Sequence, residues 1–218
     1  MTIFICGDST AASYTKEQEP QTGWGQVLNE FLPCCEISNH AMAGRSTKSF
    51  IAEGRLLEVE KQLSAGDILL IQFSHNDNYR ELVWRRTDVN TAFINCLSIF
   101  IDTARLHGAR PALLTPIPIR DYEDGALKPS LGEYPDAVRR TAALKNVPLI
   151  DVYEKGFNML EKLGEAETTA LYMNVPAGKY PGIPDGRTDN VHTQQAGARL
   201  YAQIVAEGLK SVFKEDFQ

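Results

Sequence analysis

The sequence predicts an α/β fold on a parallel five-stranded sheet, and three observations carry that expectation. Five short apolar runs, each closed by polar residues or glycine, alternate with stretches of helical spacing, the order that a parallel sheet with crossover helices requires. The chain has 218 residues, 43% hydrophobic and 23% charged, enough for one domain with a sizeable core and no need of staples. No repeat, charge block or linker divides it, so residues 1–218 read as one domain.

The expected strands are Thr2–Cys6 (TIFIC), Ile37–Asn39 with its flanks, Asp67–Phe73 (DILLIQF), Pro111–Thr115 (PALLT) and Pro148–Asp151 (PLID). Between them, Gly25–Leu32, Phe50–Leu63, Asn90–Leu106 and Ala137–Lys145 carry helical spacing, giving the order βαβαβαβαβ. His107-Gly108 reads as the C-terminal cap of the third helix, with a cation-capable ring at the negative end of the dipole and a glycine free to take positive φ. The tail Thr193–Phe213 reads as a final core-facing helix with Thr193 as N-cap and with Ala198, Leu200, Tyr201, Ile204, Val205, Leu209 and Val212 at mostly helical intervals. That helix is expected on the first strand's side of the sheet. Arg120–Pro135 and Asn174–Thr188 are rich in Gly and Pro and too long for ordinary connections, which marks them as functional loops.

Composition narrows the partners. A net charge of −6 argues against nonspecific nucleic-acid binding, and no run approaches the roughly 18 apolar residues of a membrane span. Cys6, Cys34, Cys35 and Cys96 show neither CxxC spacing nor a dense framework, so they read as buried free thiols in a reducing compartment. The first residues lack a basic segment, a long apolar segment and a small-residue cleavage pattern, which points to the cytoplasm.

Acyl transfer of the serine type needs a nucleophilic hydroxyl, an imidazole base, a carboxylate to orient it and donors for the oxyanion. Ser9, in Gly7-Asp8-Ser9-Thr10, follows the first strand and sits where a doubly wound sheet places ligands. The same position suits a helix cap, so the stretch alone leaves both roles open. The segment has Ala11 where a GxSxG elbow needs its last glycine, and it lacks the lysine of a phosphate loop. Asp189 and His192 stand three apart before the last helix, either as an orienting pair or as solvated turn residues. Gly44, after the second strand, permits close backbone approach, and Asn76, after the third, offers an amide donor. Each also has a reading as turn chemistry. His40 and His75 look like weaker bases, His75 for want of a nearby upstream carboxylate.

Taken together, Gly7-Asp8-Ser9-Thr10, Asn39 to Gly44 with Arg45-Ser46-Thr47, His75-Asn76-Asp77, and Asp189 with His192 form four ordered blocks. The chain thereby resembles the SGNH (GDSL-like) hydrolases over nearly its whole length, and within them the rhamnogalacturonan acetylesterase group. The resemblance implies a three-layer α/β/α sandwich of flavodoxin-like topology. It implies Ser9 as nucleophile, His192 as general base and acid, Asp189 as its orienter, and Ser9 N–H, Gly44 N–H and the Asn76 amide as the oxyanion hole. No metal or organic cofactor is implied. The third block departs from the group's pattern in having Ser74 where glycine usually precedes His-Asn-Asp.

The expected activity is removal of acetyl groups from pectic, rhamnogalacturonan-type oligosaccharides. A broad acyl esterase or thioesterase, or an inactive carbohydrate-binding module of the same fold, are the alternatives. Because pectic fragments carry carboxylates and this chain is net acidic, a local basic patch is expected, with Arg45 either in that role or paired with a structural carboxylate. His75 and Trp84 are further candidates for substrate contact. Trp24, Tyr79, Tyr122 and Tyr180 join Trp84 as candidate sugar-stacking surfaces.

Overall fold

A computed structural model describes residues 1–79 and 81–217. Five parallel strands form one sheet in the order β2-β1-β3-β4-β7, where β1 is Thr2–Gly7, β2 Glu36–Asn39, β3 Ile68–Gln72, β4 Arg110–Leu114 and β7 Leu149–Ile150. Strands β5 (Tyr122–Glu123) and β6 (Ala126–Leu127) pair as a small antiparallel hairpin. Ile3, Ile5, Ile68 and Leu70 point to one face, and Phe4, Cys6, Leu69 and Ile71 to the other. Such runs, apolar on both sides, belong to a parallel sheet covered on both faces.

The face of Phe4 is covered by α1 (Thr47–Ala52), α2 (Arg55–Glu60), α3 (Ala92–Leu106) and α4 (Tyr134–Lys145). The face of Ile3 is covered by α5 (Val152–Thr168), α6 (Gln195–Val212) and two short 3-10 turns, Trp24–Gln26 and Leu28–Glu30. The result is a three-layer α/β/α sandwich of flavodoxin-like strand order. The chain steps from β1 to β2 on one side and then to β3 on the other, so the crevice beyond the carboxyl ends of β1 and β3 is the topological switch point. No helix among the described residues is long and apolar enough to cross a membrane.

Several elements differ from the sequence expectation, each for a local reason. Gly25–Leu32 forms 3-10 turns rather than a helix because its backbone lies against the loop after β1. Trp24 N–H donates to Thr10 O at 3.0 Å, and a Cβ on Gly23 would stand 2.2 Å from Ala12 O. Phe50–Leu63 is two helices, broken at Gly54 with its φ of +73°. Helix α5 is an element the sequence reading did not assign, and it carries two glycines, Gly156 and Gly164. Gly156 admits Tyr201 and Pro118, and only Gly164, at φ 81°, leaves the helical region.

Arg120–Pro135 carries the β5–β6 hairpin rather than plain loop. Thr193 does not cap α6; its hydroxyl donates to Thr22 O at 2.6 Å, and Gln194 takes the cap position. Helix α6 covers the face bearing Ile3 and Ile5, with its closest approach at β7, where a Cβ on Gly208 would lie 2.4 Å from Ile150. His107 does cap α3, and Gly108 takes a φ of +71°. All four cysteines are free, but only Cys6 is buried; Cys34 is exposed and Cys35 and Cys96 are half-buried.

Candidate active site

The turn after β1 spends Asp8, not Ser9, on its own geometry. Asp8 Oδ1 accepts from Thr10 N–H at 2.9 Å and from the Thr10 hydroxyl at 2.8 Å, and Ala11 N–H closes the turn on Asp8 O at 3.2 Å. No helix starts at this turn, so Ser9 is not a helix cap, and its hydroxyl is free for another partner. That partner is His192 Nε2, 2.8 Å away across 183 residues of sequence.

The loop that brings His192 is fixed at several points. Thr22 N–H donates to Thr193 O at 2.9 Å, reciprocating the Thr193 hydroxyl bond, and Met173 N–H donates to His192 O at 2.8 Å. Asp189 Oδ1 accepts from Val191 N–H at 2.8 Å and His192 N–H at 3.0 Å, while Oδ2 faces His192 Nδ1 at 2.7 Å. With the carboxylate accepting from Nδ1–H, the lone pair of the neutral ring lies on Nε2 and Ser9 Oγ–H donates to it. Burial pushes the Asp189 carboxyl up, but the bonds and charge of His192 and the two backbone N–H groups outweigh it and hold the group well below the ordinary carboxylate range. Arg187 adds a bond from Nη2 to Asp189 Oδ2 and another from Nη1 to Gln21 Oε1 at 2.6 Å.

A cleft of about 530 Å³ opens over these groups, and Ser9, Gly44, His75, Asn76, Tyr79, Arg85, Asp189 and His192 line it together with Ile119, Leu131 and Val191. Ser9, Gly44, Asn76, Asp189 and His192 are thus brought together from four loops. The Ser9 and Gly44 N–H groups have no acceptor among the described residues. Gly44 sits at φ +78°, a backbone that side chains disfavour. Asn76 Nδ2 donates to Arg45 O at 3.0 Å, which leaves its second hydrogen uncommitted.

The third block is braced by Asp77, which accepts from Thr47 N–H at 3.1 Å and from the hydroxyls of Thr47 at 2.5 Å and Thr87 at 2.9 Å. Burial drives this carboxyl up to about 7 against those bonds, with the charge of Asp8 adding to the rise. Ser74, in the place of the usual glycine, does not have positive φ, so its Cβ imposes no backbone strain, although its Oγ is buried with no partner among the described residues.

Arg45 stays out of the cleft. Its Nε is held by Glu53 at 3.0 Å and its Nη1 by Ala43 O at 2.8 Å, the carboxylate-paired alternative. Trp84 is exposed and does not line the cleft. Trp24 is in the core with its Nε1–H on Gln72 at 2.7 Å, and the Tyr122 hydroxyl is spent on Leu160 O at 2.7 Å, so neither is a sugar platform. Tyr180 borders a separate cleft with Tyr14, while Tyr79 lines the cleft over Ser9. His75 does have a carboxylate neighbour, contrary to the sequence reading: Asp8 Oδ2 is 3.4 Å from its Nδ1. Sequence reasoning missed Arg187 and Arg85. The first stood close to Asp189 and could have been noticed, whereas the second lies in the irregular segment between β3 and α3 and gives no local signal. Among the described residues, no group of three or more His, Cys, Asp or Glu could hold a metal ion.

The profile of the GDSL-like Lipase/Acylhydrolase family matches residues 5–200. Rhamnogalacturonan acetylesterase RhgT of Bacillus subtilis is 38% identical over 212 residues, covering 96% of this chain and 90% of that protein. The probable rhamnogalacturonan acetylesterase YesY of the same organism is 35% identical over 211 residues, with 96% and 93% covered. Among solved structures, the YxiM protein of Bacillus subtilis matches with a TM-score of 0.82 at 24% identity over 96% of this chain, which spans 56% of that longer chain. Axe2, an acetylxylan esterase from Geobacillus stearothermophilus, matches with a TM-score of 0.66 at 16% identity, covering 96% of this chain and 92% of its own. These last two are likenesses of fold.

Proposed function

This chain belongs to the GDSL-like lipase/acylhydrolase family and is an esterase, and on that premise we propose that it deacetylates pectic, rhamnogalacturonan-type oligosaccharides through a Ser9-His192-Asp189 acyl-enzyme mechanism, residues 1–218 acting as one hydrolase domain. The observation that carries the mechanism is the continuous line Ser9 Oγ, His192 Nε2, His192 Nδ1, Asp189 Oδ2, with separations of 2.8 Å and 2.7 Å. The names of the two Bacillus relatives support the substrate class.

Ser9 Oγ attacks the acetyl carbonyl carbon and forms the new C–O bond as its proton passes to His192 Nε2. The carbonyl π pair moves onto oxygen, and Ser9 N–H, Gly44 N–H and Asn76 Nδ2 donate to the oxyanion. Asp189 stabilises the imidazolium without taking its proton. Collapse breaks the bond to the sugar oxygen, which leaves with the proton from Nε2. A water then gives its proton to Nε2 and attacks the acetyl-enzyme, and acetate and the Ser9 hydroxyl are released. Tyr79, exposed and lining the cleft, is the group this reading sets against the sugar, whereas the His75 ring, 7% exposed, is held by Asp8.

A fluorophosphonate probe tests the reading directly. The wild type should be labelled on Ser9, Ser9→Ala should not be, and a wild type that resists labelling would reduce the protein to a binding module. Acetate esters should turn over faster than long-chain esters; the reverse order favours the broad acyl esterase.

A further inference from the structure

We propose that Arg85 is a positioning residue for the oxyanion hole, holding Gly44 and Asn76 in the orientation that points their donors at the reacting carbonyl. The inference rests on the roles proposed above for those two residues.

An asparagine serves an oxyanion only if its nitrogen, and not its oxygen, faces the cleft. The two ends of the amide are nearly the same shape, so a neighbour has to choose between them. Arg85 makes that choice. Its Nη1 donates to Asn76 Oδ1 at 2.8 Å, and a guanidinium has only donors, so the amide oxygen is bound to that side. On the other side Nδ2 donates to Arg45 O at 3.0 Å, and its second hydrogen is left for substrate. The same Nη1 donates to Gly44 O at 2.9 Å, which pins the residue at its left-handed φ of +78°. One nitrogen therefore spends both hydrogens on the two loops that carry the donors. A charged donor on Oδ1 also polarises the amide and strengthens the Nδ2–H that faces the substrate.

Arg85 is itself held in place. Its guanidinium carbon lies 5.3 Å from the Tyr79 ring centre and 5.2 Å from that of Trp84, within cation–π range of both. Its Nε–H is buried with no acceptor among the described residues, so the place of the group follows from the Nη1 bonds and the two rings. This gives Trp84, which stands outside the cleft lining, a role other than sugar stacking.

The test is a double-mutant cycle on a small uncharged chromogenic acetate ester. Arg85→Ala should lower kcat by roughly 10–100-fold, as misplacement of a catalytic group does, with KM within about threefold of wild type. Arg85→Lys, which restores a charged donor and guards against misfolding of the alanine variant, should recover part of the loss. In an Asn76→Ala background, the Arg85→Ala change should cost less than about threefold, because most of what it positions is already gone. Full additivity of the two losses overturns the inference. So does wild-type kcat in Arg85→Ala coupled to a raised KM on acidic oligosaccharides, which would make Arg85 a ligand for the substrate carboxylate. Wild-type turnover in Asn76→Ala would instead sink the oxyanion assignment itself.

Discussion

Two aspartate–histidine pairs stand beside the same cleft, and they are built for different ends. In the Asp189–His192 pair the side chains are 14% and 23% exposed, the separation is 2.7 Å, and the far ring nitrogen meets Ser9. In the Asp8–His75 pair the side chains are 1% and 7% exposed, the separation is 3.4 Å, and the far nitrogen, Nε2, is buried with no partner among the described residues. Asp8 has one oxygen committed to Thr10, and burial pushes its carboxyl up less than His75 and the Thr10 bonds pull it down, so the group stays below its ordinary value. The same two residue types thus aim a ring nitrogen at a hydroxyl in one place and brace β1 against β3 in the other. What separates them is what the second oxygen and the second nitrogen touch.

Replacement of the two histidines should break the comparison most sharply. His192→Ala is expected to lose on the order of 10⁵–10⁶ in kcat, with little change in melting temperature. His75→Ala should lose far less in kcat, leave KM on oligosaccharides near wild type, and lower stability by roughly 1–3 kcal/mol through the unpaired Asp8. Steady-state kinetics and urea unfolding on both variants check this, and equal kinetic losses would erase the distinction. The aspartates follow with smaller effects. Asp189→Asn should lose about 10⁴ in kcat because the orienting acceptor of His192 is compromised, whereas Asp8→Asn, which can still accept from Thr10, should lose less than about tenfold.

Asp77, a buried carboxylate without an imidazole, sharpens the comparison through pH. Its folded value near 7 lies above the ordinary value of about 3.9, so the folded state holds the proton more tightly than the unfolded one. Its contribution to stability is therefore fully present below about pH 4 and is lost as pH rises through 7, by a few kcal/mol at most. Asp77→Asn should flatten that part of the stability profile between pH 4 and 7; an unchanged slope assigns it to another group.

The three central strands β1, β3 and β4 were legible because a parallel strand buried on both faces is a short, largely apolar run; the edge strands β2, which is EISN with no buried residue, and β7, two residues long, lie within the shorter runs that the alternation with helices placed. The Asp189–His192 pair was legible because its members are three apart, and Ser9, Gly44 and Asn76 because each follows a strand. The Asp8–His75 pair was invisible, since 67 residues separate its members and nothing local distinguishes it. Arg85 was missed for a related reason: its work is on a backbone carbonyl and an amide of other loops, which leaves no periodic trace, whereas Arg187 stands two residues from Asp189 and was there to be read. Helix α5 was not assigned from the sequence, and its Gly156 serves the approach of Tyr201 rather than a break. Arg45 misled because a charge beside a motif says nothing of its own partner, here Glu53.

The reciprocal bonds between Thr22 and Thr193 tie the two ends of the chain together beside the site. Ser9 and His192 lie 183 residues apart, so the ribosome makes the hydroxyl long before the imidazole, by roughly 10–40 s at ordinary rates of synthesis. On the proposed mechanism the Ser9 hydroxyl has no base until His192 is made, and a chain stopped before His192 should hydrolyse no ester however well its sheet has formed.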